Sequence, residues 1–106
     1  MPASDDQHSG ICHTVLFRWA NGVDDAQKSQ LFDTLRTLPD KVGGVRSYSV
    51  GHDLGLRDTN HDWAIVATFD SVQDFQAYAD ADVHKQVIHD LVLPAVTDRV
   101  AVQFVF

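Results

Sequence analysis

From Ile11 to Trp19 the chain alternates. His13, Val15, Phe17 and Trp19 share one face, and Cys12, Thr14, Leu16 and Arg18 the other. A period of two, rich in β-branched and aromatic residues, predicts a strand. Asn21-Gly22 breaks it. Asp24 then stands at capping-box spacing from Gln27, and Leu31, Leu35 and Leu38, with Phe32 beside them, recur at helical spacing. Pro39 and Gly43-Gly44 are expected to end this helix. A second strand is expected over 45–51, a polar loop over 52–60 and a third strand over 62–69. Trp63, Ile65, Ala67 and Phe69 fall on one face of that third strand. Asp70 or Ser71 caps a second helix with an apolar edge of Val72, Phe75 and Tyr78. The helix is expected to break near 80–82, where short polar residues can recap a further piece. That piece carries a stripe of Val83, His84, Val87, Ile88 and Leu91, and Pro94 ends or kinks it. Alternation returns over 99–106, with Val100, Val102, Phe104 and Phe106 together.

The order β-α-β-β-α-β predicts an α+β domain of the ferredoxin-like kind, an antiparallel sheet with both helices on one face. Two helices cover only that face. Yet the first strand presents Leu16 opposite Val15 and Phe17, and in the last strand Ala101 and Val105 oppose Val102 and Phe104. A solvated antiparallel face is normally polar. The second apolar face therefore calls for cover, and a two-fold partner packing sheet on sheet gives a homodimer.

With 106 residues the chain is one domain, expected as a flexible leader over 1–10 and a folded unit over 11–106. Fifteen acidic residues against eight Lys and Arg give a formal charge of −7, which argues against nucleic acid or an anionic membrane surface as partner. Cys12 is the only cysteine, so no internal disulfide can form, and it reads as a small packed hydrophobe. No apolar run approaches membrane-spanning length and the first residues lack a signal-peptide core, so a cytoplasmic location is expected.

The chemistry-bearing pair is Tyr78 and His84, with five residues between them at the expected helix break. The stripes point both inward, toward Phe32, Leu35 and Ile65. A neutral imidazole can take a proton from carbon next to a carbonyl, and a phenol can hydrogen-bond the enolate oxygen that develops. Such a pair needs no cofactor. It equally well bonds backbone groups and fixes the break, and both readings stand. His13 shares the Val15 and Phe17 face and reads as a core or barrel-edge histidine; His52 and His61 flank the polar loop and are expected in solvent. Trp19 and Trp63 read as core. Asp80, Asp82 and His84 do not share a helix face, and no His or Cys spacing supports a metal site.

His13-Thr14-Val15-Leu16-Phe17-Arg18-Trp19, Gly44-Val45, Gly51, Ala67-Thr68-Phe69-Asp70-Ser71, Tyr78 and His84 together resemble the stress-responsive A/B barrel (Dabb) family over about residues 11–106. The resemblance implies a dimeric α+β barrel. The family includes a plant polyketide cyclase that closes a linear tetraketide by aldol condensation. By that likeness His84 and Tyr78 are the catalytic pair and His13 a pocket-side histidine; with Phe32, Leu35 and, from the inward stripes, Ile65 it makes the expected substrate-binding wall. The likeness departs where the family's His-Pro-x-His reads Ala81-Asp82-Val83-His84, and where Leu35 replaces a pocket tyrosine; Phe32 keeps its aromatic. The expected function is cofactor-independent cyclase-like or lyase chemistry on a small carbonyl compound. The alternative is a non-catalytic structural or ligand-binding dimer. A cofactorless monooxygenase stands third, by analogy of fold alone. The enzymatic reading requires a cavity of roughly 300 Å3 or more reaching both Tyr78 and His84.

Overall fold

Alternation and stripes settle into a four-stranded antiparallel sheet, order β2-β3-β1-β4, with helices on one side. The structure, a computed structural model, describes residues 10–106. The expected leader lies outside the described residues except for Gly10, which pairs with Phe106 and extends the sheet edge. The elements are β1 (Ile11–Trp19), α1 (Asp25–Val42), β2 (Val45–His52), β3 (Trp63–Phe69), α2 (Val72–Asp80), α3 (Asp82–Val87) and β4 (Val96–Val105). A π-turn over Ile88–Val92 and a 3-10 turn over Leu93–Ala95 join α3 to β4. Among the described residues no helix is long and apolar enough to cross a membrane.

Local chemistry explains the boundaries. Asp24 caps α1 through a reciprocal box with Gln27, both bonds 2.8 Å. Pro39 does not end α1; it forfeits one backbone bond within the last turn, and the helix runs on to Val42, where Gly43 at φ 79° ends it with its N–H on the Pro39 carbonyl. Ser71, not Asp70, caps α2, accepting from the Asp74 N–H at 3.1 Å. Asp70 is drawn away to Arg46. The break between α2 and α3 falls at Ala81, whose backbone is extended. No side chain recaps α3, contrary to the polar-residue expectation; His84 Nδ1 instead donates to the Ala79 carbonyl at 3.2 Å across the break.

Two stripe positions are corrected. Val72 is exposed, so the inward edge of α2 begins at Phe75. Leu91 is 36% exposed while Val92 is fully buried. The π-turn adds a residue to one turn and moves the inward position on by one.

Register fixes the two sheet faces. On the helix side, His13 lies between Ala67 and Gln103, Val15 between Ile65 and Ala101, and Phe17 between Trp63 and Arg99. The core here divides into two ends. At one, Phe17 stacks on Trp63 with ring centres 3.9 Å apart, and Trp19 lies over Trp63 at 4.8 Å. Leu31, Leu35 and Leu38 from α1 are buried in the same core. On the other side, Leu16, Val66, Val100, Val102 and Phe104 make an apolar face that nothing in the described chain covers, with Val102 53% and Phe104 49% exposed.

Candidate functional site

The site grows from strand register and the helix break. His13, Val15, Ile65, Ala101 and Arg99 form one contiguous patch of the sheet, because they are paired or two residues apart along their strands. Leu35 from α1, Phe75, Tyr78 and Ala79 from α2, His84 from α3 and Ile88 from the π-turn roof this patch, leaving a cavity of about 230 Å3. The hollow reaches both Tyr78 and His84 but falls short of the roughly 300 Å3 set for the enzymatic reading, so whatever it takes is smaller than the sequence led one to expect. It suits a small molecule, and its wall is largely apolar.

Tyr78, His84, His13, Leu35 and Ile65 all meet at this cavity. Phe32 does not, and the expectation that it lines the cavity is corrected. One helical turn before Leu35, about 4.5 Å along the axis, it packs into the aromatic end, with His52 at 4.5 Å and Trp63 at 5.2 Å. Arg99, Phe75 and Ala101 were not singled out in the sequence; their signal was the alternation of β4 and the first inward residue of α2. Tyr48 was missed as well, although β2 alternation places it with Val50 on the helix side.

Tyr78 is 2% exposed, and its ring lies 4.4 Å from the imidazole of His84 and 5.3 Å from Phe69. Burial pushes the Tyr78 phenol up to about 12, partly offset by the nearby Tyr48 hydroxyl. Burial also raises Tyr48, and Tyr78 adds to the rise. The two hydroxyls influence one another without meeting hydrogen-bond geometry, so Tyr48 Oη has no partner among the described residues. Both phenols stay protonated at neutral pH and serve as donors.

His84 is held below the ordinary histidine value, first by burial; the Ala79 carbonyl pulls the other way and Arg99 adds to the lowering. Because Nδ1 donates to that carbonyl, the neutral ring keeps its lone pair on Nε2. His13 is complementary. The Gln103 side-chain amide donates to its Nδ1 at 2.9 Å, which leaves the proton on Nε2. Burial, then repulsion from His84, lowers His13 to about 4. Its ring packs on Phe75 at 4.8 Å. The arrangement thus offers one basic nitrogen from His84 and neutral donors from Tyr78 and His13.

The remaining histidines take other roles. His61 is not simply solvated; its Nε2 contacts Asp98 at 2.9 Å. His52 packs against Phe32 with the rings tilted. His89 pairs with Asp90 on the outer surface. Among the described residues no three His, Cys, Asp or Glu side chains gather as metal ligands. A larger hollow of about 470 Å3 lies under the β2–β3 loop, lined by Asp53, Asn60, His61 and Leu16 among others. It holds none of the candidate residues and opens on the uncovered side of the sheet.

The topology and one-sided helices define a ferredoxin-like α+β domain. The chain belongs to the stress-responsive A/B barrel family, whose model matches residues 11–106. A dimeric ferredoxin-like protein of unknown function from Thermobifida fusca is similar, at 39% identity, 94% coverage of this chain, 93% of that one and a TM-score of 0.84. A hydroxynitrile lyase from Passiflora edulis shares the fold at 20% identity, coverage of 93% and 94%, and a TM-score of 0.84. So does a Dabb family protein from Mesorhizobium loti, at 16% identity, coverage of 91% and 95%, and a TM-score of 0.77. No curated protein sequence matches the chain.

Proposed function

We propose that the cavity is a cofactor-independent acid–base site of the lyase or cyclase kind, acting on a small carbonyl compound, in a protein that works as a homodimer. The observation that carries this is the His84 ring, packed on Tyr78 at the wall of an apolar cavity with Nδ1 engaged by a backbone carbonyl. Nε2 is then the basic atom. It removes a proton from carbon beside the carbonyl; the C–H electron pair moves to form the enolate, and the oxygen gains the negative charge. Tyr78 donates to that oxygen. The enolate carbon then attacks a second carbonyl to form the C–C bond, and the imidazolium gives its proton to the new alkoxide; in the lyase direction Nε2 instead takes the hydroxyl proton, the adjacent C–C bond breaks to give a carbonyl, and the imidazolium protonates the carbanion released. General-base help and oxyanion stabilisation contribute about 3 kcal/mol each in comparable sites. A hydroxynitrile lyase with the same fold is in keeping with lyase chemistry on this scaffold. The homodimer draws support from the uncovered apolar face and from a 39%-identical relative described as dimeric.

The competing reading is a non-catalytic dimer in which the pair maintains the helix break, and the same His84–Ala79 bond favours it. Proton exchange separates the two. The wild-type protein should accelerate deuterium uptake at the α-carbon of small ketones and keto acids, followed by NMR. His84→Gln should abolish the acceleration, and Tyr78→Phe should reduce it about 100-fold with melting temperature held within a few degrees. Exchange at the buffer rate with wild-type protein, alongside a large loss of stability in His84→Gln, would leave only the structural reading.

A further inference from the structure

We infer that the ligand of this cavity carries a carboxylate, held at the mouth by Arg99 with Lys85 beside it. The inference rests on the proposed site for its cavity, but not on the proposed proton transfer. Arg99 stands opposite Phe17 in the β1–β4 register, so its stem leaves the sheet on the helix side and reaches the cavity wall. A second hollow, of about 290 Å3, shares Ala79, His84, Ile88 and Arg99 with the cavity and adds Lys85, His89 and Leu93. The two hollows therefore adjoin along His84 and Arg99, an apolar interior opening past two cations.

The chain has 15 acidic side chains against eight Lys and Arg, so partners for a cation are plentiful. Arg18, Arg36 and Arg46 each take an aspartate, Asp98, Asp33 and Asp70 respectively. Arg99 and Lys85, like Lys28, Lys41 and Arg57, have no carboxylate within 4.0 Å among the described residues, and Asp90 is engaged by His89; what sets Arg99 and Lys85 apart is that both line the hollow at the mouth. The guanidinium offers a planar fork that matches a carboxylate bidentately, while its neighbour supplies a second, flexible donor. An apolar body inside and one anion at the mouth describe a small amphiphilic acid; for the proposed chemistry, a carbonyl compound that also bears a carboxylate. With its carboxylate on Arg99, such a molecule would extend past His84 into the space lined by Ile65 and Leu35. The overall charge of −7 repels anions, so anion affinity here would have to be local.

Hexanoate and its neutral isostere hexanamide test this, titrated into the full chain at low salt and followed by methyl NMR and calorimetry. Wild type should bind hexanoate about tenfold more tightly than hexanamide, a modest ratio because the cations are solvent-exposed. Both ligands should shift the methyls of Ile65 and Ile88. Arg99→Gln should bring hexanoate down to the amide's affinity and leave the amide unchanged, and Arg99→Lys should keep part of the preference. Lys85→Gln should cost less than Arg99→Gln. Equal binding of acid and amide by wild type, or a preference untouched by Arg99→Gln, overturns the carboxylate assignment and leaves the cavity reading standing. Shifts confined to the mouth, with Ile65 unmoved, also overturn it. Failure of both ligands at millimolar concentration removes the cavity reading, and this inference with it. Unchanged melting temperatures of the variants exclude misfolding as the cause.

Discussion

At the scale of residues, the site separates two histidines that look alike in sequence. Each has one ring nitrogen engaged, but by opposite partners: a carbonyl fixes the proton on Nδ1 of His84, and an amide fixes it on Nε2 of His13. Both are lowered chiefly by burial. His13 falls from 6.5 in the unfolded chain to about 4. Between those values the unfolded chain binds a proton that the folded chain refuses. Stability present above 6.5 is therefore lost as pH falls toward 4. Urea midpoints should drop across that window, and the drop should shrink in His13→Phe. Imidazole NMR titration should place the His13 midpoint near 4 and that of His84 below 6.5. Ordinary midpoints for both would remove the desolvated site. Leu35 offers a second test. It is fully buried at the cavity wall, so Leu35→Ala should cost about 3 kcal/mol in chemical denaturation and enlarge the cavity. Tyr78 and His84 were legible in sequence because both lie on apolar stripes. Tyr48 and Arg99 were not, because one sits in a strand of weak composition and the other reads as a surface cation until register assigns its face.

At the scale of elements, boundaries set by local chemistry were readable and those set by tertiary packing were not. The Asp24–Gln27 box needs only a spacing of three, and it forms as the spacing implies. The π-turn has no such mark. A stripe drawn at 3.6 residues per turn runs through Leu91, whereas the widened turn buries Val92. The same turn brings Ile88 to the cavity, and π-turns often occur at functional sites. Alanine substitution distinguishes the two phases. Val92→Ala should destabilise by about 2 kcal/mol, and Leu91→Ala by less than about 0.5 kcal/mol, measured by urea denaturation. The reverse order would restore an uninterrupted α-helix. Phe32 was misassigned for a related reason. A helical stripe gives the direction of a side chain, while position along the axis decides which end of the core it enters, and one turn separates the cavity from the aromatic stack.

At the scale of the whole molecule, the sheet has one occupied face and one apolar face awaiting cover. The sequence carried this in the two-sided apolar character of β1 and β4, and the register gathers Leu16, Val66, Val100, Val102 and Phe104 on that side. A two-fold partner would bury the patch against its own copy, since an isologous contact uses the same patch on both chains. Val102 lies on β4, paired with Thr14 across β1, and its side chain enters neither the cavity nor the helix layer. Val102→Asp should therefore leave the fold of each chain intact while placing like charges in an apolar contact. Sedimentation at micromolar concentration should show the wild type as a dimer and the variant as a monomer, with a dissociation constant at least about 100-fold weaker, because an unpaired buried charge costs several kcal/mol. If the site lies wholly within one chain, the monomeric variant should bind hexanamide as the wild type does. A wild-type monomer would refute the two-fold assembly. A dissociated variant that no longer bound would show that the partner holds α2 and α3 in the spacing that keeps the cavity open.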